Sequence, residues 1–269
     1  MGRTASPVLT NDDSGIILKG PDELARMRAS GRVVARALNA MRDAIVPGVT
    51  TTNDLENVAV RILSEAGASS PFLGYQPMNH PPYPAWTCIS VNEEVVHGVP
   101  GRRVLREGDI VGCDVGANVA GFYADGAWTF PIGRLTKEAD RLLKVAEEAL
   151  WIGIEQAKVG RHVGDISHAI QRFVRKNGYT VVREMVGHGI GRSLHEDPQV
   201  PNYGKAGTGA VLRDGMTFCI EPMVNAGRKD IEALADEWTI VTSDRSLSAH
   251  FEHTVAVTKN GPLILTRGD

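Results

Sequence analysis

Cysteine is scarce in this 269-residue chain: Cys88, Cys113 and Cys219 stand far apart, with no C-x-x-C pair. An odd, scattered set argues against a disulfide framework and for reduced thiols, core packing and a cytoplasmic setting. No apolar run reaches the roughly 18 residues a membrane span requires, so no membrane partner is expected. The opening MGRTASPVLTNDDSG is polar, lacks the apolar centre of a secretory signal, and reads as a flexible lead-in over residues 1–15. An excess of positive charge is missing too. With 29 Lys and Arg against 32 Asp and Glu the net charge is −3, which argues against DNA or other nucleic acid as the main ligand.

What is present is ordinary for a globular chain: 42% hydrophobic and 23% charged residues, enough for a sizeable core. The length allows one large domain or two small ones. Pro21, Asp22 and Glu23 open a helix that closes at Pro47-Gly48, and a second helix runs from about Asn53 to Gly67. A proline-rich loop follows at 75–86. Residues 136–160 and 165–178 read as two further helices, and strands and loops fill the remainder. The two helix pairs echo each other. Ala37-Leu38 and Gly48 match Ala149-Leu150 and Gly160 at an offset of 112, and Asp54-Leu55 and Gly67 match Asp165-Ile166 and Gly178 at 111. Each half therefore reads helix, Gly turn, Asp-capped helix, Gly stop, strands. Two similar halves with joined sheets are expected, with a ligand site at their junction.

The stretch VGCDVGANVAGFYADGAWTF, 111–130, is apolar and small yet carries Asp114 and Asp125. A hairpin turning at Val119-Ala120 would set these two directly opposite each other, with Cβ atoms about 4.5–5.5 Å apart. Two ionised carboxylates so close repel unless one takes a proton or a cation lies between them. The alternative is a polar pair on a hairpin's wet face. Further donors favour the cation. His188 lies between Gly187 and Gly189, which bare the backbone for close approach of another group. Glu221 and Glu252 each sit within apolar strand-like runs, and Pro222 interrupts ladder pairing beside Glu221. Asp114, Asp125, Glu221 and Glu252 carry −4, which two divalent ions would balance. Carboxylates with one imidazole suit Mn, Fe, Co or Zn.

The ordered segments CDVGANVAGFYADGAW, GHGIGRSLHEDPQVPNYG, IEPM and FEHT, with CISVNEEVVHGVP before and DEWTIVT between, resemble the type I methionine aminopeptidases over roughly residues 16–266. The resemblance implies a single catalytic domain over 16–269 with the pita-bread fold: an α+β architecture of two pseudo-symmetric halves, a curved and mainly antiparallel sheet, and helices on the outer face. It implies five metal ligands, with Asp125 and Glu252 bridging two divalent ions (Co, Mn, Fe, Zn or Ni), Asp114 on one ion, and His188 and Glu221 on the other. It makes His97 and His195 contacts to substrate near the scissile bond. The implied activity is removal of the initiator methionine from nascent chains with a small second residue, by a water that the two metals activate. In that chemistry His195 would donate to the carbonyl oxygen, Glu221 would shuttle a proton, and His97 would lie near the leaving nitrogen.

Tyr83, Cys88 and Trp238 correspond to part of the family's methionine pocket, and each could equally be plain core. His80, Leu194 and His250 depart from the common Tyr, Phe and Gln, and the first two soften the pocket's aromatic wall. His250 is expected to share a strand face with Glu252, packing there or tuning the metal. Asn92, Glu94 and Ser248 correspond to a monovalent-cation site. Arg28, Arg32 and Arg36 form a helical stripe that reads as a solvated face, the alternative being transient contact with the ribosome. The implied partners are nascent polypeptide N-termini, and the chain is expected to be a monomer. Two other readings remain: a proline-selective aminopeptidase of the same fold, usually longer by an N-terminal domain, and a non-catalytic scaffold, which should have lost ligands.

Overall fold

In the computed structural model, residues 10–11, 15–77 and 80–268 are described. The first run of elements is β1 (Thr10–Asn11), β2 (Ile17–Leu18), α1 (Pro21–Asp43), α2 (Thr52–Glu65), β3 (Cys88–Val91), β4 (Glu94–Val96), β5 (Ile110–Val119) and β6 (Phe122–Pro131). The second is α3 (Lys137–Gln156), α4 (Val163–Lys176), β7 (Thr180–Val181), β8 (Gly187–Gly189), β9 (Glu196–Val200), β10 (Thr217–Ile220) and β11 (Met223–Asn225). It closes with β12 (Ile231–Ala233), β13 (Ile240–Thr242), β14 (Ser248–His250), β15 (His253–Thr258) and β16 (Gly261–Ile264). Thr10 and Asn11 pair with Leu18 and Ile17. Apart from these two and Gly15, the expected lead-in lies outside the described residues.

The internal repeat is physical. Gly48, Gly67, Gly160 and Gly178 all end their segments at left-handed φ, 77°, 64°, 85° and 83°, where a Cβ would be strained. Asp54 and Asp165 are not the helix caps, however. Each is the third helical residue and reaches back 2.8 Å to a backbone N–H, of Thr51 and of His162 respectively. Both helices therefore begin a residue or two earlier than the Asp-capped reading places them. The equivalence extends to the bridges Thr51↔Val104 and His162↔Val211.

Every strand pairing among the described residues is antiparallel. The β5–β6 hairpin turns at Ala120-Gly121, with φ of 52° and 80°, and pairs Val119 with Phe122. Two consecutive positive φ angles are the signature of a type I′ turn, which matches strand twist. This corrects the predicted register by two residues: Asp114 opposes Ala127, and Asp125 opposes Gly116. A shift of two keeps both carboxylates on one face.

The halves meet where Glu252 N–H donates to the Ala127 carbonyl at 2.8 Å and Ala127 N–H returns to Glu252 at 3.3 Å. Helices α1 and α2 cover the outer face of β3, β5 and β6, burying Met41, Leu55, Leu63 and Val111. Helices α3 and α4 bury Leu142, Leu150, Ile166 and Phe218 over the second half. Each such side chain contributes about 1.5–3 kcal/mol by leaving water. The inner face is left for chemistry. No helix among the described residues is long and apolar enough to cross a membrane.

Candidate metal centre

Strand parity turns the acids inward. Cys113 faces the helices while Asp114 faces the inner side; on β10, Phe218 packs under α3 and α4 while Cys219 faces inward. β10 pairs with β15 up to Ile220↔His253, and β11 resumes with β14 at Met223↔His250 in unbroken register. Glu221 and Glu252 face each other in the interruption that Pro222 makes. His188 is the neighbour of Gly189, which pairs with Phe218, so its side chain joins the same face from β8. What approaches Gly187 and Gly189 is backbone rather than ligand: a Cβ there would lie 2.3 Å from the Cys219 carbonyl and 2.1 Å from that of Asp197.

All five expected ligands line one cavity of about 350 Å³, together with His97, His195, Tyr83, Cys88, Trp238, His80, Leu194 and His250. Asp114, Asp125 and Glu252 each offer an oxygen within 4.8 Å of the other two. His188 Nε2 is 3.6 Å from Glu221 Oε1. Its Nδ1 lies 3.0 Å from the Gly189 carbonyl, which can only accept, so Nδ1 carries the hydrogen and Nε2 offers a lone pair.

Burial raises the pKa of all four carboxylates, and mutual repulsion adds to it for Asp114, Glu221 and Glu252; Asp125 is pushed up to about 7. Burial lowers the histidines: His188 to about 4 and His97 to about 4, both further lowered by His195, and His195 in the same direction. Neutral imidazoles beside a crowded acid cluster suit cation binding.

The profile of metallopeptidase family M24 matches residues 25–259. The chain belongs to this family. Methionine aminopeptidase 1 of Bacillus subtilis (strain 168) is 47% identical over 252 residues, 94% of this chain and 99% of that protein. The Escherichia coli (strain K12) methionine aminopeptidase is 44% identical over 93% of this chain and 94% of its own length. The crystal structure of a Thermotoga maritima methionine aminopeptidase superposes with a TM-score of 0.90, at 47% identity, covering 94% of this chain and 99% of that one. A Pyrococcus furiosus prolidase shares the fold at a TM-score of 0.75 and 21% identity, with 94% of this chain spanning 66% of that one.

M24 members are metallopeptidases, and these residues fit a divalent cation. Asp114 Oδ1 and Glu252 Oε1 are buried with no hydrogen-bond partner among the described residues, a costly state that a cation relieves. Beside the acids the cavity is apolar. Trp238 packs edge-on to Tyr83 at 5.1 Å between ring centres, and His80 lies 5.5 Å from Trp238, so His80 keeps an aromatic ring in the wall. The Tyr83 hydroxyl lies 3.0 Å from the Thr87 and Gly98 carbonyls, which fixes its ring. His97 holds φ at 59°, rare for a residue with a side chain and frequent where function constrains the backbone.

His250 shares the inner face as expected, its Nε2 3.8 Å from Glu221 and 3.9 Å from Glu252, without a hydrogen bond. Asn92 and Ser248 meet through a 2.9 Å bond from Ser248 N–H to the Asn92 carbonyl. Two neighbours escaped the sequence reading. Tyr75 places its hydroxyl 3.1 Å from His195 Nδ1, and Cys219 brings its sulfur among His188 and Glu252. Tyr75 sits in a loop with no periodicity to flag it, and Cys219 looks like any core thiol.

Proposed function

We propose that this M24 chain is a metallo-exopeptidase that removes the initiator methionine from nascent polypeptides whose second residue is small. The observation carrying this reading is the junction of two environments in one cavity: a cluster of unsatisfied acids with His188, abutting an apolar recess of Tyr83, Cys88 and Trp238. A free amino terminus suits the first and a thioether side chain the second.

Asp114, Asp125, His188, Glu221 and Glu252 would together hold two divalent ions. Four negative charges against two dications leave the cluster near neutral. When bound, the ions supply Lewis acidity toward a water and toward the substrate's first carbonyl. His195, held at Nδ1 by Tyr75, donates from Nε2 to the carbonyl oxygen as it gains charge. Glu221 carries the proton from water toward the leaving nitrogen, and neutral His97 hydrogen-bonds near that nitrogen. A monovalent cation beside Asn92, Glu94 and Ser248, and a cytoplasmic place of action, belong to the same reading.

The test is hydrolysis of Met-Ala-Ser and of an Xaa-Pro tripeptide with Mn or Co supplied and then chelated. Met-Ala-Ser should be cleaved, metal-dependently, and the Xaa-Pro peptide should not. Intact Met-Ala-Ser in the presence of Mn and Co overturns the proposal. Preferred cleavage of the Xaa-Pro peptide replaces it with the proline-selective reading.

A further inference from the structure

A second cavity of about 300 Å³ lies on the helix side of the sheet, lined among others by Trp128, Trp151, His253, Arg42 and Arg267. Trp128 and His253 reach it from β6 and β15, one residue along from Ala127 and Glu252 but on the opposite face. The His253 ring stands between the tryptophans, 5.7 Å from Trp128 and 5.4 Å from Trp151. Three polar features give this aromatic recess a sign. The described lining residues include two arginines and no carboxylate. Arg42 is shared with Asp43 at 2.9 Å, outside the lining, whereas no hydrogen bond or ion pair of Arg267 appears among the described residues. Thr266 Oγ1 accepts the Thr254 N–H at 3.2 Å and lies 2.9 Å from His253 Nδ1. Its own hydrogen can therefore serve Nδ1, which leaves Nε2–H as a donor with no partner among the described residues.

We propose that this cavity binds a small planar aromatic carboxylate, its ring against Trp128 and Trp151 and its carboxylate on the Arg267 guanidinium. The volume sits at the lower bound for ligand pockets, so one ring or two fused rings is the size it takes. Flat indole walls favour a flat guest. A guanidinium binds carboxylate through two parallel N–H donors, and the His253 N–H adds a third. Because the sheet separates this cavity from the acid cluster, the two sites would fill independently.

Titration calorimetry of the metal-loaded enzyme with 1-naphthoate tests this, with 1-naphthamide and 1-naphthylmethylammonium as controls. One site should bind naphthoate at least tenfold more tightly than the amide, with no heat from the ammonium compound. Saturating methionine should not compete. Arg267→Gln, an exposed position that should fold normally, should weaken naphthoate at least tenfold and leave Met-Ala-Ser turnover unchanged. Absence of heat, undiminished binding by Arg267→Gln, equal binding of the amide, or displacement by methionine would each overturn the assignment.

Discussion

Asp114 and Asp125 lie diagonally across the β5–β6 ladder, Asp114 opposite Ala127 and Asp125 opposite Gly116. Diagonal neighbours lie about 7–8 Å apart, their Cβ atoms somewhat nearer, which is still farther than a direct pair. The longer diagonal still brings their oxygens within 4.8 Å of each other and of a Glu252 oxygen, so repulsion from Asp125 helps raise the Asp114 pKa.

Replacing Asp125 with Asn keeps the shape and removes one charge from that convergence. Bound metal per chain should fall, and Met-Ala-Ser turnover should drop by more than about 100-fold, beyond what loss of an outer partner costs. The melting midpoint should stay near the wild-type value. Metal analysis and turnover of the purified variant decide it, and retained activity would take Asp125 out of the metal centre.

Metal removal should leave a distinctive pH dependence. The folded carboxylates have raised pKa values, Asp125 about 7 and Asp114, Glu221 and Glu252 higher than usual. The folded state therefore holds protons the unfolded chain has already lost, and stability declines as pH rises. The histidines, lowered to about 4 for His97 and His188 and about 3 for His250, act oppositely below about 6.5 and are neutral in both states above it. Between about pH 6.5 and 8 the chelated protein should lose stability, at up to about 1.4 kcal/mol per pH unit for each carboxylate still protonated. Thermal melts with Mn restored should lack that decline, since a cation favours the ionised acids. A flat profile without metal would mean the acids ionise freely.

Tyr75 and His195 form the only hydrogen bond described between the proline-rich loop's side chains and the histidine loop, at 3.1 Å. Tyr75→Phe keeps the edge-on ring packing, 5.3 Å between centres, and deletes the hydroxyl. A hydrogen bond of about 1 kcal/mol corresponds to roughly a fivefold fall in kcat, with KM for Met-Ala-Ser little changed. An unchanged kcat would reduce Tyr75 to packing.

Much of this was readable from residue order, for identifiable reasons. Acids inside apolar strands are costly without a partner, so Asp114, Asp125, Glu221 and Glu252 were candidates for one cation-binding cluster, and the fold gathers all four in a single cavity. The glycine stops announced the repeat because left-handed turns exclude most side chains. The hairpin register was misread because Ala120, an uncommon residue at positive φ, hides a turn that Gly121 alone signals. The helix starts were misread because an aspartate can cap from within the helix as well as before it. Cys219 joins the site only through the lateral order β8, β10, β15, and lateral order is a property of the folded sheet that local pattern does not encode.

Lys19 and Glu196 form a buried ion pair that anchors the loop carrying His195, their side chains 2% and 7% exposed. The lysine also donates to the Ile17 carbonyl at 3.0 Å. Glu196 accepts from the Arg192 and Ser193 amides at 2.7 and 3.1 Å, so it ties residues just before His195 to the segment preceding α1. Removing one partner of such a pair strands a buried charge, at a cost of about 3–5 kcal/mol. Lys19→Met should therefore lower the melting midpoint by about 10 °C, given roughly 2–4 °C per kcal/mol for a chain this size. Glu196→Gln in the same background removes the stranded charge while its amide oxygen still accepts from the loop, so the double variant should recover part of that loss. Additive losses in the cycle would show that Lys19 acts through its packed stem alone, and the charge pairing would then play no part in holding the histidine loop.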